Sequence, residues 1–133
     1  MRVLVVDDNE INRALARAVV TRLGHKIDEA SDGYEGLSLL AAKKYDLILM
    51  DISMPGLSGS DVMRRVRNSG FPNRNTQAVA WTALSKSDVP DSGILFEEYM
   101  QKPATLSDMR NLIARAERGV CGMQMMPDER VYA

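Results

Sequence analysis

Val3-Leu4-Val5-Val6-Asp7-Asp8-Asn9-Glu10-Ile11-Asn12-Arg13-Ala14-Leu15 is the stretch that decides the fold class. Four consecutive apolar residues without polar alternation predict a strand buried on both faces, as in a parallel sheet. Ile11, Leu15, Val19 and Leu23 then recur every fourth residue, which predicts an amphipathic helix directly after an acidic turn. Asn9 is placed to cap that helix, and Gly24 to end it in a left-handed conformation.

Working outward, the strand-then-helix pattern repeats. Lys26 to Ala30 reads as a second strand, and Asp32-Gly33 opens a helix with Tyr34, Leu37, Leu40 and Ala41 on one face. Asp46 to Met50 is a third strand, apolar after its first residue, and it leads through Asp51 into a loop punctuated by Pro55, Gly56 and Gly59. A helix from about Ser60 to Asn68 follows, with Val62 and Val66 inward. After a polar loop come a fourth strand at Ala78 to Trp81, a fifth at Tyr99 to Gln101, and a last helix marked by Leu106, Met109, Ile113 and Ala116. Strands alternating with helices call for an α/β protein whose parallel sheet is covered on both faces.

The segment from Leu84 to Glu98 departs from this pattern. Pro90 and Asp91-Ser92-Gly93 interrupt what should be its helix, so a fourth helix there is expected to be short, displaced or absent. Ile94-Leu95-Phe96 should then pack back on the sheet, with bulky Trp81 filling volume that the helix vacates. From Val120 onward no period is visible. Residues 1–118 are therefore expected to form one domain and residues 119–133 a mobile tail or the start of a linker, with Cys121 an inert thiol among Met123, Met125 and Met126.

A chain of 133 residues has room for one core of ordinary size. Lys plus Arg number 17 against 18 Asp plus Glu, so no excess charge points to nucleic acid or to an anionic membrane as a partner. The apolar runs are far shorter than the roughly 20 residues that cross a bilayer. A single cysteine cannot form an intrachain disulfide, which fits a cytoplasmic location.

In open parallel sheets, ligands bind beyond the carboxyl ends of the strands. Here strand one ends in Asp7-Asp8, strand three in Asp51, strand four in Thr82 and strand five in Lys102-Pro103. Each piece alone has a bland reading: Asp-Asp as a turn or cap, Lys-Pro as a loop, Thr as a common strand end. Their joint placement on one edge is what points to chemistry. Three close carboxylates must protonate or bind a cation, and oxygen donors without a His or Cys cluster suit Mg2+ better than zinc. Magnesium beside a carboxylate, an ammonium and a hydroxyl is equipment for phosphoryl transfer. His25, at the start of strand two, lies away from this cluster and reads as a surface or edge residue.

Five separated motifs, in order, resemble the receiver domain of two-component response regulators: Val3-Leu-Val-Val-Asp-Asp-Asn with Asn12-Arg13, Ala30-Ser-Asp-Gly-Tyr-Glu-Gly, Asp46-Leu-Ile-Leu-Met-Asp51 through Gly59, Ala80-Trp-Thr-Ala and Tyr99-Met-Gln-Lys-Pro. The opening motif looks especially like receivers attached to hybrid histidine kinases. The resemblance covers residues 2 to about 118. It implies a flavodoxin-like doubly wound sheet of five parallel strands in the order 2-1-3-4-5. It further implies that Asp51 is the phosphoacceptor and that Asp7, Asp8, Asp51 and the backbone carbonyl of Ser53 hold Mg2+. Thr82 and the backbone of Ala83 would bind the phosphoryl group, Lys102 would pair with it, and Tyr99 would be the aromatic switch, unless it merely covers the edge of the core. The family's Lys-Pro peptide is usually cis. The implied partner is a histidine kinase or a histidine phosphotransfer protein, and the implied activity is self-catalysed transfer rather than enzyme turnover.

Three rival readings compete with this one. A Mg2+-dependent phosphohydrolase of the haloacid-dehalogenase type needs an acid two residues after its nucleophile, where this chain has Ser53. A flavodoxin would meet repulsion between its cofactor's phosphate and the acidic cluster. A receiver-like interaction module that is never phosphorylated keeps the fold and drops the chemistry.

Overall fold

The computed structural model describes residues 1–89 and 95–119. Five parallel strands, β1 (Arg2–Val6), β2 (Lys26–Ala30), β3 (Leu47–Met50), β4 (Gln77–Thr82) and β5 (Glu98–Gln101), form one sheet in the order β2-β1-β3-β4-β5. The helices are α1 (Glu10–Arg22), α2 (Gly33–Ala42), α3 (Gly59–Arg67) and α4 (Leu106–Glu117). As expected, Asn9 caps α1, its side chain accepting from the amides of Ile11 and Asn12, and Asp32 caps α2 by accepting from Glu35. The order places β1 and β3 at the centre, so the sheet edge bearing Asp7 and Asp51 is flanked on both sides.

The sheet's two faces bury separate cores because successive strand residues point to opposite sides. Leu4, Val6, Ile48, Met50, Ala78 and Ala80 face α2 and α3. Val3, Val5, Leu47, Leu49, Val79 and Trp81 face α1 and α4. Within β1, β3 and β4 nearly every residue is buried, which is why those segments carry no polar alternation.

Val62 and Val66 face inward on α3 as expected, while the other helices match the rows read in the sequence only in part. On α1 the core takes Ala16, Val19 and Val20, while Ile11 is 77% exposed. On α4 it takes Met109, Leu112 and Ile113, while Leu106 is 58% exposed. On α2 the inward face is Gly33, Gly36 and Leu40, whereas Tyr34 is 61% exposed and Ala41 also faces solvent. The reason is proximity: a β-carbon on Gly36 would stand 2.9 Å from a methyl of Val6. Glycine lets the helix lie directly on β1, so the contact is made by a residue that hydrophobicity patterns do not count.

Between β4 and β5, the described residues hold only a short 3-10 turn, Lys86–Asp88. No α-helix is found among them, in keeping with the expectation for the fourth helix. Leu95 and Phe96 are buried in the α2–α3 core together with Val89, so the apolar patch does pack back on the sheet. Ile94 and Pro90, like the tail from Val120 with Cys121 and its methionines, lie outside the described residues. Trp81 does not fill the vacated volume. It points to the other face, against α1 and α4, because residue 81 has the opposite parity to Ala80 and Thr82.

Arg67, at the end of α3, anchors this irregular connection. Its guanidinium donates to the carbonyls of Thr76 at 2.7 Å, Arg74 at 2.9 Å and Leu95 at 3.0 Å, and pairs with Glu97 at 3.1 Å. Glu97 in turn accepts from the amide of Ala78 at 2.8 Å. One planar, multi-donor side chain thus satisfies carbonyls on both sides of β4.

Candidate functional site

Asp7 follows β1 and is fixed from three directions. Its amide donates to Ala30 at 3.0 Å, its carbonyl accepts from Arg13 Nη1 at 2.7 Å, and its Oδ1 accepts from the amide of Asn9 at 2.9 Å. Asp51 follows β3, where its amide donates to Val6 at 2.9 Å, and its Oδ1 accepts from the amide of Ser53 at 3.2 Å. The loop that begins there turns back on itself, with the Gly59 amide donating to Ile52 at 3.1 Å. Neighbouring strands ending at one level therefore bring both carboxylates to one place.

Asp7, Asp8 and Asp51 each offer an oxygen within 4.8 Å of the others, with Asp7 and Asp51 buried and Asp8 exposed. Lys102, immediately after β5, brings its ammonium 2.6 Å from Asp7 Oδ2 and 3.3 Å from Asp51 Oδ2. The Asp51 carboxyl is pushed above the ordinary carboxylate range, chiefly by burial. Lys102 opposes that shift and Asp7 adds to it. The same ammonium lies over the Trp81 ring, 5.4 Å from its centroid. The Lys102-Pro103 peptide is cis.

Thr82 ends β4 fully buried, its Oγ1 accepting from the Leu84 amide at 3.3 Å and its carbonyl accepting from the Lys102 amide at 2.8 Å. The adjacent Ala83 carbonyl accepts from Gln101 Nε2 at 3.3 Å. Tyr99 packs half-buried on the α2–α3 core and donates its hydroxyl to the Leu84 carbonyl. So the five side chains singled out at strand ends, Asp7, Asp8, Asp51, Thr82 and Lys102, all lie at one edge of the sheet, with Tyr99 tied to the loop that Thr82 begins. His25 lies at the opposite ends of the strands, yet its side chain is only 10% exposed and its Nε2 stands 3.0 Å from Glu117. It is more covered than a surface residue.

Two further residues contribute to this site in ways the sequence does not signal directly. Arg13 reaches the Asp7 carbonyl from one turn into α1 while pairing with Glu10 at 2.5 Å and Glu29 at 3.4 Å. Its presence in the first motif was the available signal. For Trp81 the sequence suggests only bulk, and its ring's position under Lys102 emerges from the fold.

Three carboxylates that share a small volume and offer only oxygen fit a hard divalent cation such as Mg2+. A family model described as the response regulator receiver domain matches residues 3–114. The chain belongs to that family. This receiver domain is 32% identical over 117 residues to the CAI-1 autoinducer sensor kinase/phosphatase CqsS of Vibrio cholerae, covering 85% of the chain and 17% of that protein. It is 33% identical over 116 residues to the sensor histidine kinase RcsC of Salmonella typhi, covering 86% of the chain and 12% of that protein. The receiver domain thus spans a small fraction of these relatives. Among solved structures, the response regulator TrrA of Thermotoga maritima in complex with Mg2+-BeF is 30% identical with a TM-score of 0.75, over 86% of this chain and 97% of that one. No helix among the described residues is long and apolar enough to cross a membrane.

Proposed function

We propose that this receiver domain takes a phosphoryl group onto Asp51 from a phosphohistidine on a histidine kinase or a histidine phosphotransfer protein, and that residues 1–118 form the unit that does so. The observation that carries the reading is the convergence of Asp51 with Asp7, Asp8 and Lys102. An Asp51 carboxylate oxygen attacks phosphorus, the phosphorus–nitrogen bond of the donor breaks, and the histidine leaves with the electron pair and takes up a proton. Burial leaves the Asp51 anion poorly solvated, which favours its attack. Lys102 neutralises the transferring oxygens, and Thr82 with the backbone of Ala83 receives them.

In this reading Asp7, Asp8, Asp51 and the Ser53 carbonyl would hold Mg2+, which would supply positive charge to offset the negative charge on the phosphoryl oxygens. The domain consumes itself as acceptor and is not a turnover enzyme. It works in the cytoplasm. Tyr99, tied to the Leu84 carbonyl in the segment that Thr82 also holds, would report the modified state by turning as Thr82 moves toward the phosphoryl oxygens.

The test is acetyl phosphate with Mg2+ followed by mass spectrometry. Wild type should gain one phosphoryl group, mapped to the peptide bearing Asp51, and Asp51→Asn should gain none. Modification that persists in Asp51→Asn overturns the assignment, and an unmodified wild type, also with a cognate phosphohistidine donor, favours an interaction module.

A further inference from the structure

We infer that Trp81 is a positioning residue for Lys102, holding its ammonium beside Asp51 through a contact that uses no carboxylate oxygen. The inference deepens the phosphoacceptor reading above and rests on it. Lys102 Nζ lies 5.4 Å from the Trp81 centroid, inside the range of about 6 Å over which an aromatic face attracts a cation. The Lys102 side chain is 15% exposed, so little water competes for its charge.

The other partners of that ammonium are Asp7 Oδ2 and Asp51 Oδ2. Both belong to carboxylates of the cluster suited to a divalent cation, and Asp51 is also the proposed nucleophile. An oxygen engaged in either role is lost, wholly or in part, to Lys102. The indole is neutral and is no ligand for a hard cation, so its hold does not weaken when the carboxylates turn to other work.

A second observation separates this role from filling space. Trp81 Nε1 is buried with no hydrogen-bond partner among the described residues. A buried donor without a partner costs stability, and phenylalanine would occupy much of the slot without one. What tryptophan adds over phenylalanine here is the stronger π face.

The experiment follows the Lys102 ε-methylene resonances by NMR in wild type, Trp81→Phe and Trp81→Leu, with and without Mg2+. Phosphorylation rates with acetyl phosphate and melting temperatures are measured on the same three proteins. In wild type the resonances should lie upfield, as expected over an aromatic ring, and stay there as Mg2+ saturates; in Trp81→Leu the displacement should vanish. Trp81→Phe should melt no lower than wild type yet accept phosphoryl groups about two- to threefold more slowly, and Trp81→Leu about tenfold more slowly. Lys102 resonances alike in wild type and Trp81→Leu, or drifting to the ordinary lysine position as Mg2+ is added, overturn the inference. So does a Trp81→Phe and Trp81→Leu pair as fast as wild type. Should wild type itself take no phosphoryl group, the phosphoacceptor reading fails, while the resonances still decide whether Trp81 holds Lys102.

Discussion

Gly59 lies so close to Asp51 that a β-carbon added to it would stand 2.1 Å from the Asp51 carbonyl oxygen. The first residue of α3 therefore sets how the backbone of the proposed phosphoacceptor can lie. Gly59→Ala must push backbone against backbone, and overpacking of this kind costs about 1–3 kcal/mol. Urea unfolding should show a lower midpoint at unchanged slope, with phosphorylation slowed as Asp51 is displaced.

Asp51→Asn should be more stable than wild type near pH 7. Burial raises the Asp51 pKa in the folded state above its unfolded value, so the folded protein binds the proton more tightly. Stability from this group is present below the unfolded pKa and is lost as pH rises through the folded one. Thermal melts across pH 4 to about 8 should show the variant's advantage growing with pH in that window. An advantage independent of pH would mean that the ionised carboxylate is not its source.

Mg2+ at ten times its dissociation constant should stabilise the native state by about 1.4 kcal/mol, through binding to the folded form alone. Asp8→Ala removes an exposed carboxylate proposed to hold the ion and no core contact, so its melting temperature should stop responding to Mg2+. A shift that survives in the variant would put the ion elsewhere.

Arg67→Ala should destabilise by about 2–4 kcal/mol, because the carbonyls of Arg74, Thr76 and Leu95 lose a charged donor together. Arg67→Lys should restore only part, since an ammonium cannot spread five donors over that span. Amide exchange should quicken at Leu95 to Glu97 and at Ala78, with α1 unaffected.

Tyr45→Phe removes the hydroxyl that donates to Asp28 at 2.7 Å and should cost about 1 kcal/mol at neutral pH. That hydrogen bond, more than Lys43, holds Asp28 below the usual carboxylate range. A depressed carboxyl contributes stability above its unfolded pKa and loses it as pH falls through the folded value. The gap between wild type and variant should therefore narrow in acid.

The number and type of strands, their parallel arrangement and the acids at their ends were legible in the residues alone. These depend on local facts: unbroken apolar runs fill a sheet buried on both faces, caps start helices, and a strand's last residue sits at its carboxyl edge. Asp7, Asp51, Thr82 and Lys102 were legible for that reason. On α3 the inward Val62 and Val66 were legible as well, whereas the inward side of α2 came from the packing of the helix on the sheet. Gly36 outweighs Tyr34 on α2 because what β1 demands is closeness, which hydrophobicity does not encode. Only the tertiary structure decided the face of Trp81, which follows from strand register rather than from residue size. The role of Arg67 is not legible in the sequence because its partners lie up to 30 residues away in the chain, and no local pattern records a contact made across that distance.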